Sequence, residues 1–384
     1  MNRRSWIKSS VAATAGLAAG PLLLNAKGSP NRPNFPWRIY EQNLQFTPRL
    51  EALRARLLAN ENPYGPSPKA RQAILESVGL GNRYGHGYAR KLISKLAELE
   101  GVTPDHILLG PGSTDLLEKI AITTLKDGGN VVTGDPAYMS VVNTARAFKA
   151  EWNPVPLMRD YAHDLTRMEQ AIDSDTKLIY ICNPNNPTGT LTPHEDLRSF
   201  CRQVSAKVPV FVDEAYVEFL DNAKEVSMID LIHEGKDVII TRTFSKIHGM
   251  AGLRIGYMIA QPSRVEAIDK MVRTTMGLCV TTLKGAMASL EDVEFQNKSR
   301  DLTAQARKFT YDLLTDLGLE YIPSHTSFMM FPLEMPGKDY LDKMFSQGVG
   351  VRVFVVDGKP WCRVSMGTLE EMATFGEALK KVLS

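Results

Sequence analysis

Three short apolar runs, each stopping at a polar or glycine-rich turn, constrain this chain most. Ile107-Leu108-Leu109 gives way to Gly110-Pro111-Gly112-Ser113-Thr114-Asp115, and Leu178-Ile179-Tyr180-Ile181-Cys182 to Asn183-Pro184-Asn185-Asn186-Pro187-Thr188-Gly189. Val208-Pro209-Val210-Phe211-Val212 stops at Asp213-Glu214-Ala215-Tyr216. A strand covered on both faces reads as a continuous apolar run, and such strands belong to parallel sheets with crossover helices. From Pro68 to about Ala260 such runs alternate with helical patterns, for example Leu116, Leu117, Ile120, Ala121, Thr124 and Leu125. The expected class is therefore α/β, with a mostly parallel sheet.

Ligands of open α/β sheets gather at the carboxyl ends of the strands, so the residues there carry the functional reading. After the first run, glycines that let backbone amides approach and a Ser/Thr helix start make an anion site. The other two ends supply an amide and a carboxylate. Arg242-Thr243-Phe244-Ser245-Lys246, followed by Ala251-Gly252-Leu253-Arg254, adds a lysine with a hydroxyl before it and an arginine eight residues on. A lysine that forms a Schiff base needs a partly buried, electropositive setting that frees its lone pair. An arginine close behind suits a phosphate of the same ligand. Anion cup, amide, carboxylate, lysine and arginine together fit one cofactor, pyridoxal 5′-phosphate.

The matching pieces are Asn60-Glu61-Asn62-Pro63-Tyr64-Gly65-Pro66, Arg83-Tyr84, Gly110-Pro111-Gly112-Ser113, Asp135-Pro136-Ala137-Tyr138 and Asn183 to Gly189. They continue with Val212 to Tyr216, Thr243 to Lys246, Gly252-Leu253-Arg254 and Arg363-Val364-Ser365-Met366-Gly367-Thr368. In order and spacing these resemble the fold-type-I pyridoxal-phosphate aminotransferases, and most closely their histidinol-phosphate aminotransferase branch. The resemblance implies a seven-stranded-type sheet in a large domain (68–273), with a smaller α+β domain (274–384) that begins with a long connecting helix and takes in part of residues 27–67. It also implies an amino donor and a 2-oxo acid acceptor, and a homodimer with shared active sites.

Residue by residue, the resemblance makes Lys246 the Schiff-base lysine and proton carrier, and Asp213 the partner of the pyridine nitrogen. Glu214, on the other side of the strand, reads as a structural acid. Tyr216 and Asn186 resemble donors to the cofactor's phenolic oxygen, and Tyr138 the aromatic stacked on its ring. Gly112, Ser113, Thr114, Ser245 and Arg254 would surround the phosphate, with Tyr84 reaching the phosphate held by the neighbouring subunit. Arg363 resembles the clamp for the substrate carboxylate or its equivalent. Asn62 joins it as a substrate contact, and Arg352 is a candidate for a distal acidic group. Two positions depart from the usual pattern: His248 stands for an aromatic after the lysine, and Asp115 for a glutamate after the glycine loop. A decarboxylase or lyase of the same fold, or an exported binder without turnover, are the alternatives.

Composition narrows the rest. With 384 residues and a net charge of +2, the chain can bury a large core and shows no basic blocks for nucleic acid. Its cysteines, Cys182, Cys201, Cys279 and Cys362, have no metal-ligand spacing. At the amino terminus, Asn2-Arg3-Arg4-Ser5-Trp6-Ile7-Lys8 precedes an apolar stretch from Val11 to Leu24 interrupted by Gly16, Gly20 and Pro21. This resembles a twin-arginine export signal over residues 1–26, with an apolar part too short for stable membrane insertion. Residues 27 to 50 read as an extended arm, and helical patterning runs from Pro262 to Leu317. Export implies a periplasmic enzyme, whereas histidine synthesis is expected inside the cell. The donor is therefore left open.

Overall fold

The computed structural model describes residues 52–273 and 275–384; the expected signal and arm lie outside them. Ala55–Arg56 (β1) is followed by seven strands that form one sheet: Ile107–Gly110 (β2), Asn130–Asp135 (β3), Glu151–Pro156 (β4), Thr176–Cys182 (β5), Val210–Asp213 (β6), Val238–Thr243 (β7) and Gly256–Ile259 (β8). Their spatial order is β2-β8-β7-β6-β5-β3-β4. β8 runs antiparallel to β7 and β2, and the remaining pairs are parallel.

Strand periodicity explains why this sheet is buried on both sides. Ile179, Ile181, Val210, Val212 and Ile240 enter one apolar cluster, with Leu92, Leu96, Leu197 and Leu231 from the covering helices. Leu178, Tyr180, Cys182, Phe211 and Ile239 enter the opposite one, with Leu116, Leu117 and Ile120 of helix Ser113–Leu125. Alternate residues thus serve opposite layers. The helix that carries Leu92 and Leu96 spans His86–Glu100 and ends at Gly101, whose φ of +69° suits glycine.

A second core surrounds a three-stranded sheet of Phe328–Pro332 (β9), Arg352–Val356 (β11) and Lys359–Ser365 (β12), ordered β11-β12-β9. The chain just before β11 belongs to a different sheet. Val349–Gly350 (β10) pairs with β1, while β11 pairs with β12. Ala55 and Leu57 enter this core, so the segment before the large sheet contributes to the smaller layer.

Two expectations are corrected. The stretch from Pro262 to Leu317 is three helices, Pro262–Met271, Val280–Leu290 and Val293–Asp316. Extended backbone at Val272 (φ −141°) ends the first, and Asp292 (φ −100°, ψ 60°) separates the other two. The expected division at 273/274 also fails to follow the packing. Leu283 and Ala286 of the middle helix lie in the large-sheet cluster, and a Cβ on its Gly285 would meet Ile74 Cγ1 at 2.8 Å. The chain therefore leaves the large layer after Leu290.

Candidate active site

Lys246 sits in the connection between β7 and β8, residues 244–255. Thr243 pairs with Gly256, and the turn is closed by Ser245 N–H to Thr243 Oγ1 (3.1 Å) and Gly249 N–H to Lys246 O (2.9 Å). Phe244 and Ile247 are buried and leave the lysine stem little freedom. The amine donates to the carbonyl of Asn60 at 3.0 Å and lies 5.4 Å from the centre of the Tyr216 ring. Burial lowers its pKa from 10.5 to about 8, with Arg363 and then Arg254 adding positive charge against the attraction of Glu61 and Asp213. The amine thus gives up its proton more readily than a solvated lysine does, as a nucleophile and proton carrier needs.

Asp213 and Glu214 follow one another but face opposite layers. Glu214 accepts from Ser227 Oγ, Met228 N–H and Arg242 Nε, a buried structural network. Asp213 accepts from Thr241 Oγ1 at 3.1 Å and Tyr180 Oη at 3.4 Å. Its burial raises its pKa to about 6 in spite of those donors. Tyr216, also buried, accepts from Asn60 Nδ2 at 3.0 Å, which leaves its own proton free to donate.

The anion cup lies at the start of helix Ser113–Leu125. Gly112 is its N-cap, with φ +90° and no side-chain cap, so the first-turn N–H groups face outward. A Cβ on Gly112 would fall on the Arg254 guanidinium, and one on Gly256 would meet Ser113 N at 2.6 Å. Arg254, in the left-handed region at φ +50°, donates to Ala251 O at 2.8 Å and reaches Ser245 Oγ at 3.4 Å. Thr114 Oγ1 lies 3.4 Å from Tyr138 Oη, joining the cup to the aromatic. Gly112, Ser113, Thr114, Ser245, Arg254 and Tyr138 are thereby brought together.

Arg363, only 4% exposed, closes the other side. It donates to Asn186 Oδ1 (2.7 Å) and Leu58 O (3.3 Å) and lies between the rings of Phe328 and Phe354, 5.2 and 5.0 Å from their centres. Burial lowers its pKa to about 10. Arg352 is its direct partner across the β11–β12 ladder, so two guanidinium groups share one face.

Other expected residues fall elsewhere. Asn62 donates to Ile247 O and Ser299 Oγ and accepts from Tyr64 N–H, so its side-chain amide is engaged within its own chain. Tyr84 is 80% exposed and stacks on His86, taking no part in its own chain's site. His248 bridges Ser289 Oγ (2.8 Å) and Glu218 Oε1 (3.2 Å), and Asp115 pairs with Lys119 (2.7 Å). Sequence reasoning missed Asn60, which touches Lys246, Tyr216 and Ser365 Oγ. Its only signal was its place in the Asn60-Glu61-Asn62 motif.

These residues fit pyridoxal 5′-phosphate. The cup offers outward N–H groups and a guanidinium to a phosphate, Asp213 is a buried acid able to face a ring nitrogen, and Arg363 Nε is buried without a partner among the described residues. The sequence model of aminotransferase class I and II matches residues 55–379. The chain belongs to the class I and II aminotransferases. This aminotransferase is 36% identical over 329 residues to histidinol-phosphate aminotransferase of Akkermansia muciniphila, covering 85% of this chain and 90% of that one. It is 35% identical over 357 residues to histidinol-phosphate aminotransferase 2 of Pseudomonas fluorescens, covering 93% and 95%. The crystal structure of histidinol-phosphate aminotransferase from Sinorhizobium meliloti in complex with pyridoxal-5′-phosphate superposes with a TM-score of 0.80 at 28% identity, covering 86% of this chain and 91% of that one. L-threonine-O-3-phosphate decarboxylase from Porphyromonas gingivalis, at 20% identity and a TM-score of 0.75, shares the fold. The aminotransferase uses pyridoxal 5′-phosphate and moves an amino group between an amine donor and a 2-oxo acid.

Proposed function

We propose that the amine donor carries an anionic group, a carboxylate or a phosphate of the histidinol phosphate type, held at the Arg352–Arg363 face. One observation carries this reading: two arginines directly opposite each other at the wall of the lysine site, one of them buried between two phenyl rings. Like charges placed together in a low-dielectric wall favour an anion between or upon them.

When bound, pyridoxal 5′-phosphate supplies an aldehyde that condenses with amines and a ring that takes up electrons from Cα. Lys246 would hold the cofactor through its aldehyde carbon, and its Nζ would be the base that takes up and returns the proton at the substrate Cα. Asp213 would face the ring nitrogen and keep it protonated. Tyr216 and Asn186 would donate to the phenolic oxygen; Asn186 turns its carbonyl oxygen to Arg363, which leaves its N–H groups for this contact. The Gly112–Thr114 amides and Arg254 would hold the phosphate, and Tyr138 would cover the ring.

The enzyme works as a homodimer in which Tyr84 reaches the neighbouring subunit's phosphate. Tyr84 is exposed, as are Leu75 and Val78, which supports this. Mixing inactive Lys246→Ala and Tyr84→Phe proteins should then restore activity in hybrid dimers. Export by the twin-arginine route is supported by Arg3-Arg4 and the following apolar stretch, and Arg3→Lys with Arg4→Lys should retain the enzyme in the cytoplasm. The central experiment is a donor screen with histidinol phosphate, aromatic amino acids and uncharged amines, read as 2-oxo acid consumed. Arg352→Gln should raise KM for dianionic donors about tenfold, since each charged hydrogen bond contributes about 1.5–3 kcal/mol. Equal turnover of uncharged amines would refute the reading.

A further inference from the structure

Alternation along β5, β6 and β7 turns Tyr180, Asp213 and Thr241 to the same face of the sheet. Cys182, Asp213 and Thr241 are successive register partners, and Tyr180 lies two residues before Cys182. Tyr180 and Thr241 are fully buried, and the Tyr180 ring packs on Phe211 with centres 5.3 Å apart. A hydroxyl in such a cluster loses its water and must find an acceptor. Phenylalanine would fill the same volume without that cost. The acceptor is Asp213, whose two oxygens are divided between the two hydroxyls: Tyr180 Oη on Oδ2 and Thr241 Oγ1 on Oδ1. The thiol of Cys182 lies beside the Tyr180 hydroxyl, but an ionised carboxylate is the stronger acceptor.

We propose that Tyr180 and Thr241 are positioning residues that hold Asp213 ionised and fix its plane toward the ring nitrogen of the cofactor. The proposal rests on the reading of Asp213 as the ring-nitrogen partner. Neither hydroxyl acts on the substrate; each acts through the carboxylate. Two donors from two neighbouring strands restrain the carboxylate's rotation about its last bond, which one donor would not do. Their pull also opposes the burial that raises the pKa of Asp213.

The test uses apoprotein of Tyr180→Phe and Thr241→Val, each titrated with pyridoxal 5′-phosphate and, separately, with its 1-deaza analogue, in which carbon replaces the ring nitrogen. Binding is read by quenching of tryptophan fluorescence. Each variant should weaken the natural cofactor about tenfold, the scale of one lost hydrogen bond to a charged group, and leave the analogue's affinity within about twofold. Equal losses with both cofactors, or no loss with either, would overturn the proposal, because a role confined to packing cannot sense the ring nitrogen. Asp213→Asn separates the two levels. If it too fails to distinguish the cofactors, the assignment of Asp213 falls. If it distinguishes them and the hydroxyl variants do not, only the positioning role falls. The hydroxyls sit on different strands, so a folding defect in one variant leaves the other as the test.

Discussion

Replacing Lys246 by methionine should make the cofactor-free enzyme more stable at neutral pH while abolishing amino transfer. Burial, and then the charge of Arg363, lower the amine's pKa from 10.5 to about 8. At 1.36 kcal/mol per pKa unit, this interval corresponds to about 3 kcal/mol, an upper bound for a side chain that keeps some solvent contact. Between pH 8 and 10.5 the unfolded chain keeps a proton that the folded chain has lost, so stability rises with pH through that window. The penalty is complete below about pH 8 and absent above 10.5. Methionine keeps the stem's volume and removes the charge, but it forfeits the hydrogen bond to Asn60 O, worth about 1 kcal/mol. The net expectation is a gain of about 2 kcal/mol at pH 7. Urea unfolding of both apoproteins at intervals from pH 7 to 10.5 measures it. A variant no more stable at pH 7, or an advantage that does not shrink above pH 8, would refute the argument.

Three further outcomes follow from particular contacts. Gly112→Ala places a Cβ on the Arg254 guanidinium at a φ of +90°, so affinity for pyridoxal 5′-phosphate should fall at least about tenfold while pyridoxal without its phosphate is little affected, as equilibrium dialysis would show. Asn60 adopts φ +53° and donates to Tyr216, so Asn60→Ala and Asn60→Gly should both lower kcat, but the glycine variant should be about 1 kcal/mol more stable in thermal melts. His163 is buried and its pKa is lowered to about 4 from 6.5, so it stabilises the fold above pH 6.5 and that contribution is lost as pH falls toward 4. His163→Gln should therefore flatten the acid limb of stability by up to about 3 kcal/mol, measured as unfolding midpoints between pH 7 and 4.

How much was legible depended on where each constraint is written. The buried strands could be read because a strand covered on both faces repeats apolar residues without interruption, as in Leu178–Cys182. The helix breaks could not. No proline marks Val272 or Asp292, and the middle helix turns back because Gly285 lets it approach Ile74, a contact far away in sequence. Asn60 and Asn62 are equivalent by type. What separates them is the left-handed backbone of Asn60, which turns it toward Tyr216 and Ser365 while Asn62 is used to anchor its own loop. Arg352 became a neighbour of Arg363 only through strand register, which one residue of slip would have reversed.

The lysine and the second arginine show why some of the site was written locally. β8 is the antiparallel member of the large sheet, so it begins at the edge where the parallel strands end. The Thr243–Gly256 pair closes the connection between β7 and β8, and Lys246 and Arg254 both lie within that connection. Their eight-residue separation falls inside residues 244–255, which reverse the chain, so both stay at one edge of the sheet. A parallel β8 would have begun at the opposite edge of the sheet and would have carried Arg254 there. The antiparallel strand thus accounts for a spacing that, in the sequence alone, was only a pattern.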